Sequence, residues 1–216
     1  MMNFNTAILA ILFSISSQAL ATDKLEQWQF MGQGFRAEVD DALLIAEYPG
    51  SKGVMLVSPS VYQGTVKARF DILPLTPESV LVAMLATSDD VTGSGLTFPE
   101  GYDGNIGHLL GDVNAYFFAF HNAAHQRTPF VRRHPFTRGE SNDLDFAESN
   151  VMTTQWHRVE VVFDKAGLLS MYIDGEEILN ATDQHPLAGG KIIFRLRGTK
   201  SHAATALIRN VQISSR

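Results

Sequence analysis

A chain of 216 residues with 17 Lys and Arg against 23 Asp and Glu, a formal charge of −6, is too acidic for a general nucleic-acid binder. It has no cysteine, which excludes disulfide stapling, thiolate chemistry and a lipidated lipoprotein cysteine. Its length suits one domain with a full hydrophobic core.

The first 21 residues, "MMNFNTAILAILFSISSQALA", read as a secretory signal peptide. An apolar core runs from Ala7 to Ile15, polar residues follow, and Ala19 and Ala21 put small side chains at the third and first positions before a cut between Ala21 and Thr22. The segment has no Lys or Arg in its n-region, and it is too short and too polar at its end to span a bilayer as a helix. The expected mature chain, residues 22–216, is a periplasmic or secreted domain without a membrane anchor.

Apolar–polar alternation then recurs and helical periodicity is scarce. "VMLVSPS" (54–60), "GTVKARFDIL" (64–73), "SVLVAMLAT" (79–87) and "NAYFFAFHN" (114–122) read as strands. In the second, Val66, Ala68, Phe70 and Ile72 share one face and Lys67, Arg69 and Asp71 the other. The Gly-rich, acidic stretch from Ser88 to Gly111 reads as a long loop beside the sheet. "WHRVEVVFD" (156–164), a turn at Lys165-Ala166-Gly167, "LLSMYIDG" (168–175), an Asp174-Gly175 hairpin turn and a short further strand follow; "KIIFRLRG" (191–198) and "ALIRNVQIS" (206–214) close the chain. Short strands with turns at this spacing specify an all-β sandwich or barrel. No repeat, low-complexity tract or interdomain linker interrupts it.

The C-terminal order, with Trp156 opening a strand and "YIDGEEI" following, resembles the concanavalin A-like jelly-roll β-sandwich. "GDVNAYFFAF" (111–120), "RTPFVRRHPF" (127–136) and the closing "KIIFRLRG…IRNVQI" are similar to the YesU-like family of unknown function within that superfamily, over roughly Phe35 to Ile213. The likeness is strongest at Gly111, Asp112, Asn114, Ala115, Arg127, Arg132 and Arg133. Members of that family lie beside genes for breakdown of pectic and uronic-acid-rich polysaccharides, so the resemblance implies a role with oligosaccharides. The chain departs from it in its signal peptide and in His121 and His125, which are not carried over from the family.

One segment gathers unusual charge. No Lys or Arg occurs between Phe70 and Gln126, yet "HNAAHQRTPFVRRHPFTR" (121–138) holds Arg127, Arg132, Arg133 and Arg138 with His121, His125 and His134. Such a run is a solvated loop, a set of pairs with the acidic 88–112 loop, or a site for an anion. Arginine without lysine favours the last, because the planar guanidinium binds carboxylate or sulfate bidentately. Strand alternation puts Asp112, Asn114, Tyr116, Phe118 and Phe120 on one face, suited either to strand-end capping or to a groove floor that continues into the core.

Together these residues make an anionic oligosaccharide the expected partner. Asp112, Asn114, His121, His125, Arg127, Arg133 and Arg138 are the candidate binding residues. β-Elimination from a uronide, a carbon–oxygen lyase reaction, needs a cation or donor against the carboxylate, which Asn114, Arg127, Arg132 or Arg133 could supply, and a base, for which Tyr116, His108, His121, His125 and His134 are candidates. The alternatives are a non-catalytic glycan-binding module, or a glycoside hydrolase using Asp143 and Glu148 of "DLDFAE". That motif echoes a Glu-x-Asp-x-x-Glu strand, but Asp143 is one methylene short, a displacement of about 1 Å that costs roughly 100-fold in rate, and its polar surroundings read as loop. No cofactor is expected. The His121/His125 spacing pairs metal ligands only on a helix, and a structural Ca²⁺ on Asp89, Asp90, Asp103 and Asn105 has no fixed loop signature behind it. His157, His185 and His202 read as structural, and Trp28 and Trp156 as core. Nothing in the sequence fixes the oligomeric state.

Overall fold

A computed structural model describes residues 21–22, 24–123, 129–135, 143–147, 152, 154–199 and 201–216. The chain forms two antiparallel sheets packed face to face. The first, sheet A, runs in the order β14 (Glu176–Thr182), β13 (Leu168–Ile173), β12 (His157–Phe163), β7 (Val66–Pro74), β16 (Thr205–Ser215), β4 (Ala42–Glu47) and β3 (Gly34–Val39), with β1 (Ala21–Thr22) pairing on β16. The second, sheet B, runs β11 (Asp143–Phe146), β10 (Phe130–His134), β9 (Asn114–Asn122), β8 (Val80–Ser88), β15 (Gly189–Arg197), β5 (Val54–Val57) and β2 (Gln29–Gly32), with β6 (Tyr62–Gln63) beside β15. The expected all-β sandwich is therefore the fold. A 3₁₀ turn at Leu25–Gln27 and a four-residue helix, α1 (Gly107–Leu110), are the described helical elements. No described helix is long and apolar enough to cross a membrane.

Alternation builds the core. Phe70, Phe118, Phe120, Phe163, Phe194 and Trp28 point between the sheets and are buried. Phe70 meets Phe194 and Phe120 with ring centroids 4.6 and 5.4 Å apart, and the Trp28 indole stacks on Phe194 at 5.0 Å. Each such side chain contributes roughly 1.5–3 kcal/mol by leaving water. The Asp174-Gly175 turn has φ of 53° and 87°, the left-handed pair that a two-residue hairpin linking right-twisted strands demands.

Sheet B is also covered outside. Every residue of β8 is buried, because the 88–113 segment folds back over the sheet's outer face. Leu96, Phe98, Tyr102, Ile106 and Leu109 pack there against Met55, Val57, Val82, Met84 and Ile193. Arg195 lies buried on this side, donating from Nη2 to Lys52 O.

Two expectations are corrected here. "DLDF", read as loop, is the edge strand β11, held by the register Phe130↔Phe146 and Arg132↔Asp143. Trp156 is not core: it is half-buried at the mouth of β12, with the Arg209 guanidinium 4.0 Å from its ring centroid.

Candidate functional site

Arg132 and Arg133 of the arginine run lie on β10, and a strand separates neighbours. Within β10, Phe130, Arg132 and His134 share the face that Ala119, Phe117 and Ala115 present on β9, the outer face of sheet B. Val131 and Arg133 lie opposite Phe118 and Tyr116, on the inner face. Arg127 and Arg138, with His125, lie outside the described residues, as does Glu148.

On the outer face an aromatic row supports the polar groups. Phe117 stacks on Phe130 with centroids 6.0 Å apart and takes the edge of His134 at 5.9 Å. The Arg132 guanidinium carbon lies 4.2 Å from the Phe130 centroid, a cation–π contact. Its Nε donates to Asp143 Oδ1 and its Nη2 reaches Oδ2 at 3.5 Å. Beyond this pair, on the outermost strand, Phe146 is 68% exposed. The strip thus presents a bare aromatic ring next to a guanidinium–carboxylate fork, both on rigid strands.

Arg133 serves a different place, the end of the sandwich where the chain crosses from β14 to β15. Its Nε lies 2.9 Å from Asp183 Oδ2, an ion pair without an aligned hydrogen bond, and its Nη2 donates to His185 O. With Ser88, Asn114, Pro186, Leu187 and Gly189 it lines a cleft of about 190 Å³. Asn114 Nδ2 and Ser88 Oγ both donate to Asp90 O, pinning the start of the 88–113 segment. The capping reading of Asn114 and the ligand-facing reading therefore meet in one residue.

Tyr116 is overturned as a groove-floor residue. Its ring is buried against Phe163, its hydroxyl donates to Asp183 Oδ2 at 2.8 Å, and it accepts the Leu187 N–H at 2.9 Å. Burial pushes the phenol's pKa well up, and the bond to Asp183 adds to that. Such a group is a brace for Arg133's partner and a poor general base.

His121 also moves indoors. The β8–β9 register shifts between Leu81 and Val82, so His121 stands opposite Leu81 on the inner face and not beside Ala119. It accepts the Met152 N–H at Nδ1 and sits 2.9 Å from Pro77 O at Nε2, which fixes the neutral Nε2–H tautomer. Burial lowers its pKa. His108 lies on α1, exposed, near Asn105 and Asp103, and Asp112 is exposed in the turn before β9. The structure brings neither into contact with the Arg132 strip.

The proposed calcium ligands are turn acceptors. Asp90 receives Thr92 and Ser94 through both backbone and hydroxyl donors, Asp89 receives the Thr97 N–H, and Asp103 receives Asn105 N–H and Lys52. The Ser94 and Thr92 bonds hold the Asp90 carboxyl far below the usual carboxylate range. Among the described residues no three His, Asp or Glu side chains converge as a metal site. His157 pairs with Asp174 at 2.7 Å, His185 gives its backbone to Arg133 and Asp183, and His202 closes a turn with Thr199 and Ser201.

Larger clefts, of about 490 and 260 Å³, open on sheet A around Trp156 and around Asp40 and Asp41. Their walls are ion pairs already closed on one another, Arg158 with Asp71 and Arg209 with Asp41. Size alone does not make them the better site. Phe130 and Phe146 escaped the sequence reading, because "FVRRH" carries no apolar–polar alternation and "DLDF" reads as loop.

Comparison with known structures agrees on architecture. A protein of unknown function with a galectin-like fold from Bacillus subtilis superposes with a TM-score of 0.75 at 18% identity, over 88% of this chain and 90% of that one. A carbohydrate-binding module from Bacillus subtilis superposes at 0.55 and 11%, covering 86% and 95%, and a cellulose-induced protein at 0.59 and 10%, covering 89% and 93%. At such identities the likeness shows the fold, a lectin-like jelly roll. No family model and no curated protein matches the chain.

Proposed function

We propose that this protein is an exported member of the YesU-like family that binds a uronic-acid-containing oligosaccharide along the β10–β11 edge of sheet B. The observation that carries the reading is Phe146, a bare aromatic ring on a rigid edge strand beside the Arg132–Asp143 fork. A pyranose has an apolar C–H face and a rim of hydroxyls; the ring takes the first and the fork reads the second. A sugar carboxylate suits the Arg132 guanidinium bidentately, exchanging with Asp143. A fold neighbour whose name states carbohydrate binding supports the ligand class. Cleavage after Ala21 leaves residues 22–216 as the mature domain and removes the Ala21 half of the two-residue β1.

A second reading is elimination: Arg132 and His134 share a face of β10, about 7 Å apart along the strand, but His134 is buried at 6% exposure, so this reading stands behind binding. Arg132 would neutralise the uronate carboxylate and His134 would take the C5 proton. The C5–H electron pair then forms the C4=C5 double bond, and the C4–O bond breaks with its oxygen taking a proton from water. Hydrolysis through Asp143 has less support, because that carboxylate is committed to Arg132.

The test is calorimetric titration with neutral and uronic oligosaccharides, followed by ultraviolet absorbance and mass spectrometry for an unsaturated product. Heat with uronides and no product supports binding alone; a product lost in His134→Gln supports elimination. No heat with any uronide overturns the assignment.

A further inference from the structure

We infer that this chain forms a two-fold dimer by antiparallel pairing of β3 with β3 of a second copy, which makes sheet A continuous across both molecules. β3 ends its sheet, and among the described residues nothing pairs with its open side. Natural edges are usually blunted by a bulge, a proline, a lysine or shortness. The other three edges follow that rule: β14 carries a register shift against β13, and β11 and β2 are four residues long, β11 with a shift of its own. β3 has six residues, an unshifted ladder to β4 and neither proline nor lysine.

The backbone is set for pairing. Tyr48 N–H donates to Gln33 O, so Gln33 and Tyr48 are a hydrogen-bonded pair. The register Gly34↔Glu47 to Val39↔Ala42 then assigns Phe35, Ala37 and Val39 to bonds with β4 and turns the N–H and C=O of Arg36 and Glu38 outwards. A two-fold axis at Ala37 places Arg36 opposite Glu38 of the second copy, and Glu38 opposite its Arg36. The same axis therefore satisfies the outward backbone groups and pairs opposite charges twice.

The other face fits as well. Phe35 falls opposite Val39 of the second copy; these side chains are 44% and 41% exposed, and Tyr48, 52% exposed, tilts against Phe35 at 6.1 Å. Arg36 is already ordered, donating from Nη2 to Glu26 O and from Nη1 to Trp28 O, so its fixation costs little entropy on association. The sequence "FRAEV" is self-complementary in antiparallel register, apolar to apolar and cation to anion.

Sedimentation velocity of the purified protein over a concentration range tests this. A reversible monomer–dimer equilibrium is expected, with Glu38→Arg weakening it about tenfold or more by setting like charges opposite one another twice. Arg36→Glu does the same, and an equimolar mixture of the two variants regains a dimer because acidic strand then meets basic strand. Phe35→Ser, which leaves the charges alone, weakens the dimer too; thermal melts confirm that each variant is folded. A monomer at every concentration overturns the inference, and so does a dimer that neither Glu38→Arg nor Phe35→Ser weakens.

Discussion

Arg132 and Arg133, neighbours in sequence, point to opposite faces of β10 and pair with different carboxylates, Asp143 on the outer face and Asp183 at the sandwich end. A cluster that looks like one clamp is two devices. Among the described arginines of the cluster, Arg132 faces the aromatic row, while Arg133 ties the β14–β15 crossover to β10.

Phe146→Ala removes the platform without touching the core. Loss of the apolar area a sugar covers costs about 1–2 kcal/mol, which is roughly 5- to 30-fold in Kd. Melting temperature stays unchanged, because the ring is mostly in water already. Titration calorimetry with thermal denaturation separates the two quantities.

Tyr116→Phe behaves in the reverse manner. It deletes the hydroxyl between Asp183 and Leu187 N–H and leaves a buried donor unpaired, a cost of about 1–3 kcal/mol. Denaturant unfolding reads that loss directly. Glycan affinity on the outer face is unaffected, whereas a catalytic base at this position would show full stability and lost turnover.

His121 makes stability depend on pH. Its folded pKa is below the ordinary 6.5 because burial disfavours the cation. Between the two values the unfolded chain holds more protons than the folded one, so stability is fully present above about pH 6.5 and falls as pH drops towards the folded pKa. Melting temperatures measured from neutral pH downwards should show that slope, and His121→Gln should flatten it while lowering the plateau.

The strands that bury one face were legible, because Val66, Ala68, Phe70 and Ile72 repeat with period two; β9 falls on the residues expected of it. β10 and β11 were not, since "FVRRH" sets Phe130 and Val131 side by side before three polar residues, and the register shift at Leu144 breaks the period of "DLDF". Tyr116 shows a different limit. Alternation placed it on the same face as Phe118 and Phe120, but that this face turns inwards depends on the 88–113 segment covering the other side, a long-range contact with no local signature. The register shift that brings His121 inside is equally silent in sequence.

Asp143→Asn discriminates among ligands. Asp143 competes for Arg132, so a uronate that displaces it should bind several-fold more tightly to the variant, the guanidinium being free of a rival carboxylate. A neutral glycan read by the intact fork would instead bind more weakly. Side-by-side titrations of both sugar types with wild type and Asp143→Asn give the sign.

The central claim, that the outer face of the β10–β11 edge is the glycan site, is tested most directly by calorimetric titration of wild type, Phe146→Ala and Arg132→Ala with one panel of uronic oligosaccharides. Saturable heat in the wild type, reduced about 5-fold or more in affinity in each variant with folding intact, is the predicted result. Equal affinity in all three proteins would place the ligand elsewhere and contradict it.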